Sequence, residues 1–145
     1  YSSDMADVLV LNDDFPMRVL IPRTIQRLSC VDEVDAAVDG KHGLDLFRQN
    51  NGDYGLIITD YEMPNMNGLE FLDHIRGYAH PPRIMMSGKA NESLYHRARS
   101  LGAQGVILNH FEPDFFRQVV KEFIEQSASP TLDEYVTEMN AKEWQ

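Results

Sequence analysis

Asp60 closes the apolar run YGLIIT and is followed by the turn YEMPNMNG. Asp13 follows the run DVLVLN, Ser87 closes RIMMS, and Asn109 follows GVIL. If these runs are parallel strands, their carboxyl ends lie along one edge of the sheet, where sites form in open α/β folds. If the first and third strands are neighbours, Asp13 and Asp60 face each other across a crevice. Two close carboxylates repel and raise each other's pKa. A hard divalent cation removes that conflict, and magnesium is commonly held by one or two carboxylates with backbone, water and phosphate oxygens. Such a cation also neutralises an incoming phosphoryl group. An aspartate can accept that group on its own carboxylate as an aspartyl phosphate, and the Ser87 hydroxyl can donate to a phosphoryl oxygen. Set against this, Asp60 alone reads as a turn or cap residue and Ser87 as a strand-end serine.

The elements that must position these groups alternate. The strands are Asp7 to Asn12, Glu33 to Val38, Tyr54 to Thr59, Arg83 to Ser87 and Gly105 to Leu108. Most are short continuous apolar runs, as expected for strands buried on both faces. A helix with the stripe Met17, Leu20, Ile21, Thr24, Ile25 and Leu28 follows the first, with Asp14 suited to cap it and Pro16 to its first turn. Pro22 removes one hydrogen bond from its interior, so a kink is expected there. Further helices follow at GLDLFRQN, at Leu69 to Ile75, after Asn91, and at Phe115 to Ile124. Strands alternating with helices imply a parallel sheet covered on both faces. Residues 1–6 read as an N-terminal extension, 7–126 as the α/β domain, and SASP (127–130) as a linker to a last helix. Thr131 and Glu134 have capping-box spacing, and Leu132, Tyr135, Val136 and Met139 make one stripe. That stripe packs on its own domain, or binds a partner or a second copy.

The chain has 145 residues, 43% hydrophobic and 25% charged, enough for one domain with a real core. A net charge of -10 argues against this chain gripping nucleic acid or an anionic membrane. One cysteine, Cys30, excludes a disulfide framework and fits a reducing, cytoplasmic compartment. No apolar run approaches the ~18 residues of a membrane span. The histidines lack ligand spacing.

The segments VLVLNDDFPMR, IITDYEMPNMNGLEFL, IMMSGKAN and GAQGVILNHF occur in order. Together they resemble the receiver domain of two-component response regulators, the CheY-like family. The resemblance implies a flavodoxin-like five-stranded sheet of order 2-1-3-4-5. It implies Asp60 as phospho-acceptor from a sensor histidine kinase or phosphotransfer protein, acting on an output domain or downstream protein. It implies a Mg2+ (or Mn2+) site of Asp13, Asp60 and the backbone carbonyl of Glu62, and Ser87 as switch hydroxyl.

The chain departs from the family pattern at three places. Asn12 stands where the pattern has an acidic residue, leaving it at most a weak cation ligand through water. Asn109 stands where the pattern has lysine, with His110 in place of proline, so a cis bond there is not expected. Val106 stands at an aromatic switch position. Lys89 either stands in for the missing cation, flanking the site with Glu62, or is a solvated loop lysine. The leading reading is a phosphorylatable receiver with an atypical switch. The alternative is a pseudo-receiver that binds partners without switching by phosphate, and an aspartyl phosphatase ranks behind both because no cap or general acid is evident.

Overall fold

The computed structural model describes residues 5–89, 91–126 and 128–142. Five strands are present: β1 (Ala6–Leu11), β2 (Val31–Ala37), β3 (Leu56–Asp60), β4 (Arg83–Ser87) and β5 (Val106–Leu108). They form one parallel sheet in the order β2-β1-β3-β4-β5. The helices are α1 (Phe15–Ile25), α2 (Gly40–Gln49), α3 (Gly68–Ile75), α4 (Glu92–Ser100), α5 (Pro113–Ile124) and α6 (Pro130–Lys142). Every residue of β3 and β4 is buried, the condition that erases period-two alternation from their sequences. β2 is an edge strand with exposed Asp32, Glu33 and Ala36, so its apolar signal is broken. It begins two residues earlier than the sequence suggests. Asp39-Gly40, expected to end that strand, instead starts α2: the Asp39 side chain accepts from His42 N–H.

Asp14 caps α1 as expected, accepting from Met17 N–H. The helix runs through Pro22 to Ile25, and the next bond, Gln26 N–H to Pro22 O at 2.8 Å, is intact. Asn67 and Glu70 form a reciprocal capping box at α3, and Asn91 caps α4.

Ser127 of the stretch read as a linker lies outside the described residues, and the rest of that stretch is anchored. Ser129 is buried, and it rather than Thr131 caps α6, accepting from Leu132 N–H at 3.1 Å. Thr131 instead donates its hydroxyl to Glu122 of α5, as does Ser129. Leu132, Val136 and Met139 are buried in the main core, and the Tyr135 ring packs against Phe115 at 4.6 Å. Gly105, just before edge strand β5, makes room: a Cβ there would stand 3.1 Å from a Leu132 methyl. α6 therefore packs on its own domain. Each such side chain contributes about 1.5–3 kcal/mol on burial, which stabilises a helix that is marginal alone in water.

Glu122 gives this contact a pH dependence. Burial pushes its pKa up, but hydrogen bonds from Gln118, Ser129 and Thr131 outweigh that and hold it below the ordinary value. A depressed carboxylate stabilises the fold above its unfolded pKa, and that stability is lost as pH falls through the folded pKa. Acidification below about pH 4.3, the ordinary glutamate value, should weaken the α5–α6 contact. Hydrogen exchange should then rise in α6 before it rises in the sheet, and Glu122→Gln should flatten this response. Among the described residues no helix is long and apolar enough to cross a membrane.

Candidate functional site

The carboxyl ends of the strands assemble the site. Leu11 pairs with Thr59, which places Asn12 beside Asp60, and Ser87 pairs with Leu108, which places Asn109 beyond both. The ladder continues past the strands: Tyr61 N–H donates to Met86 O and Asn109 N–H to Ser87 O, both at 2.9 Å.

Asn12 is buried and its Oδ1 accepts from Asp14 N–H at 2.9 Å. Its carbonyl accepts from the Arg18 guanidinium at 3.0 Å. The side chain thus forms the turn after β1, and that oxygen is engaged in the turn. Asp13, next along, is exposed and lines an open cleft of about 600 Å3 with Tyr61, Glu62, Met63, Pro64 and Asn67.

Asp60 ends β3 beside this cleft's Tyr61, 8% exposed, with Oδ1 accepting from Tyr61 N–H at 2.9 Å. Burial pushes its pKa up to about 6; the Tyr61 hydrogen bond opposes this, while Asp13, Glu62 and Asp14 push it further up. Among the described residues no cation lies within ion-pair distance of it. Gly68 allows the following turn to close over it, because a Cβ there would stand 2.3 Å from the Asp60 carbonyl oxygen.

Ser87 is buried, and its hydroxyl donates to the Lys89 carbonyl at 2.8 Å while accepting from Lys89 N–H at 3.2 Å. The residue after next is therefore bound through its backbone. The Lys89 side chain is exposed and, among the described residues, pairs with neither Asp60 nor Glu62. Asn109 Oδ1 is buried and, among the described residues, has no protein hydrogen-bond donor. Val106 is buried against the sheet, its strand partner being Met85. The Asn109–His110 bond is trans, as expected without proline; the cis bond among the described residues is His80–Pro81.

Sequence reasoning missed Asp39 and Asn65. Asp39 Oδ2 accepts from Asn65 Nδ2 at 2.8 Å, tying the loop after β3 to the start of α2. A cap signal at Asp39 was readable, but its second partner lies 26 positions away.

The donors at the cleft are oxygens only. Among the described residues no three His, Cys, Asp or Glu side chains converge on one metal position. Two carboxylates and a backbone carbonyl nevertheless match what magnesium asks of a protein, the remaining positions falling to water and phosphate oxygens. Asp60, buried among acidic neighbours with its pKa raised, is the group such a cation would relieve.

The chain from residue 8 to 121 matches the family described as the response regulator receiver domain. The chain belongs to this family. The receiver is 35% identical over 121 residues to a chemotaxis protein CheY homolog of Campylobacter jejuni, covering 81% of this chain and 88% of that protein. It is 31% identical over 123 residues to chemotaxis protein CheY1 of Helicobacter pylori, covering 81% and 93%. Among solved structures it is similar to Vibrio cholerae chemotaxis protein CheY4, with a TM-score of 0.69, 28% identity, and coverage of 76% of this chain and 91% of that one. The receiver is a signalling module of two-component systems rather than a classical enzyme, and its sheet order is the one the resemblance implied.

Proposed function

We propose that Asp60 accepts a phosphoryl group from a histidine kinase or phosphotransfer protein, and that an output domain or downstream protein responds to that state in the cytoplasm. The observation that carries this is a buried carboxylate with acidic neighbours and, among the described residues, no paired cation. A charge buried without a partner destabilises the fold, and such groups mark functional sites. An Asp60 carboxylate oxygen attacks phosphorus, the phosphorus–nitrogen bond of the donor phosphohistidine breaks, and its electron pair returns to the imidazole. Asp13, Asp60 and the Glu62 carbonyl would hold Mg2+ or Mn2+, which when bound neutralises the carboxylates and the phosphoryl oxygens. Ser87 supplies a hydroxyl that reaches a phosphoryl oxygen by turning away from the Lys89 carbonyl. Asn109 offers an amide donor where a lysine would offer a charged one, forgoing part of the ~1.5–3 kcal/mol that a charged hydrogen bond contributes.

The test is intact mass after incubation with Mg2+ and acetyl phosphate, together with amide spectra in beryllofluoride. One added phosphoryl group, labile to hydroxylamine, and shifts at Asp60, Ser87 and Asn109 are expected. Unchanged mass and spectra at millimolar donor would instead identify a pseudo-receiver.

A further inference from the structure

The loop from Tyr61 to Asn67 carries the Glu62 carbonyl, and its two feet rest on different elements. One foot is in the sheet: Tyr61 N–H donates to Met86 O and Gly68 N–H to Tyr61 O, each at 2.9 Å. The other is on the amino end of α2. There Gly40 N–H donates to Met66 O at 3.1 Å, and Asn65 Nδ2 donates to Asp39 Oδ2 at 2.8 Å. This is a close fit, since a Cβ on Gly40 would stand 2.4 Å from Met66 O. Asn65 adopts φ 67°, the left-handed region that asparagine tolerates. Its side chain therefore leaves the loop in a direction most residue types would not take. Asp39 is 9% exposed and divides its oxygens, Oδ1 on His42 N–H to cap α2 and Oδ2 on Asn65. β2 lies on the far side of β1 from β3, so this bond crosses the sheet edge over the first strand's end.

We propose that Asp39 and Asn65 are positioning residues for the cation site: their side-chain hydrogen bond fixes the loop after β3 and with it the Glu62 carbonyl. This rests on the reading of that carbonyl as a ligand. Metal ligands are held in place by partners behind them, and removing such a partner typically costs about 10–100-fold in affinity. A backbone carbonyl has no side chain to adjust, so only the loop's own anchors can aim it.

Two variants separate positioning from fold stability. Asn65→Gly retains the positive φ and deletes the bond to Asp39 but also frees the loop backbone, so the second variant leaves the loop sequence intact. Asp39→Ser keeps a hydroxyl able to cap α2 but cannot also reach Asn65. The half-saturating Mg2+ concentration, read from amide shifts of folded protein, is expected to rise about tenfold in both variants. In metal-free protein the Gly40 amide, bound to Met66 O, should exchange faster. A merely structural pair would lower the melting temperature and leave the Mg2+ midpoint in place. Midpoints within twofold of the parent in both variants overturn the proposal and leave the cation site standing. A parent protein that binds no Mg2+ overturns both readings.

Discussion

Replacing Asp60 with asparagine should abolish phosphorylation and, at neutral pH, make the metal-free protein more stable. The first effect follows from chemistry, because the amide is no nucleophile toward phosphorus. The second follows from the carboxylate's surroundings. Burial first, then Asp13, Glu62 and Asp14, push the Asp60 pKa up to about 6, against an ordinary aspartate value of about 3.9 in the unfolded chain. Between those values the folded state binds the proton more tightly than the unfolded state. The stability this provides is present below the unfolded pKa and is lost as pH rises through about 6. A shift of roughly two units corresponds to about 3 kcal/mol, an upper figure because solvent in the open cleft screens part of it. Urea denaturation of the parent at pH 5 and pH 7.5 should therefore show a fall in stability that Asp60→Asn lacks. At pH 7.5 the variant should be more stable by about 1–3 kcal/mol. Millimolar Mg2+ should restore the parent by binding its folded, ionised form and leave the variant nearly unmoved. A variant less stable than the parent at pH 7.5 would contradict the electrostatic account of Asp60, whatever its phosphorylation.

The way this site could be read from sequence follows from the fold. Parallel strands covered on both faces appear as apolar runs, so β4 is found at its true limits, Arg83 to Ser87, and the polar residue ending each run marks the functional edge. Asp13, Asp60, Ser87 and Asn109 come together for that reason. The edge strand β2, with its exposed acids, is located only to within two residues. What stayed hidden depends on distant pairing. Asp39 with Asn65, Ser129 with Glu122, and the Ser87 hydroxyl turned onto the Lys89 carbonyl are choices of partner that local propensity does not encode. The Gly68 of the motif is visible in sequence, but its reason, a carbonyl 2.3 Å from where its Cβ would be, is visible only in three dimensions.

Arg83 is the sharpest case of a hidden role, and its removal should be the most destabilising of the single changes considered. In sequence it is a cation opening a strand. In the fold it is 3% exposed, and its guanidinium is spent on three carbonyls: Pro81 O at 3.0 Å, Ile75 O at 3.3 Å and Tyr78 O at 2.8 Å. Ile75 ends α3, and Tyr78 lies in the turn after it, so the cation also faces the negative end of a helix dipole. Burial lowers its pKa. Arg83→Ala leaves the Pro81 and Tyr78 carbonyls without this donor, while Ile75 O keeps Tyr78 N–H at 3.0 Å, and it opens a cavity; about 4 kcal/mol is expected from these losses together. Arg83→Met keeps the apolar stem and removes the desolvated charge, so part of that cost is recovered and about 2–3 kcal/mol should remain. Arg83→Lys keeps the charge, but its single ammonium cannot reproduce the planar fork, so it should also destabilise. Denaturant midpoints of the three variants order these contributions. If Met proves as costly as Ala, the hydrogen bonds dominate; if Met is close to the parent, packing of the stem does. The strand places Arg83 about 13 Å from Ser87, four residues along at roughly 3.3 Å each. Folded variants should therefore take up phosphate from acetyl phosphate to the parent's extent. An Ala variant within about 0.5 kcal/mol of the parent, the scale of an ordinary surface change, would mean that water replaces the guanidinium and that α3 does not depend on it.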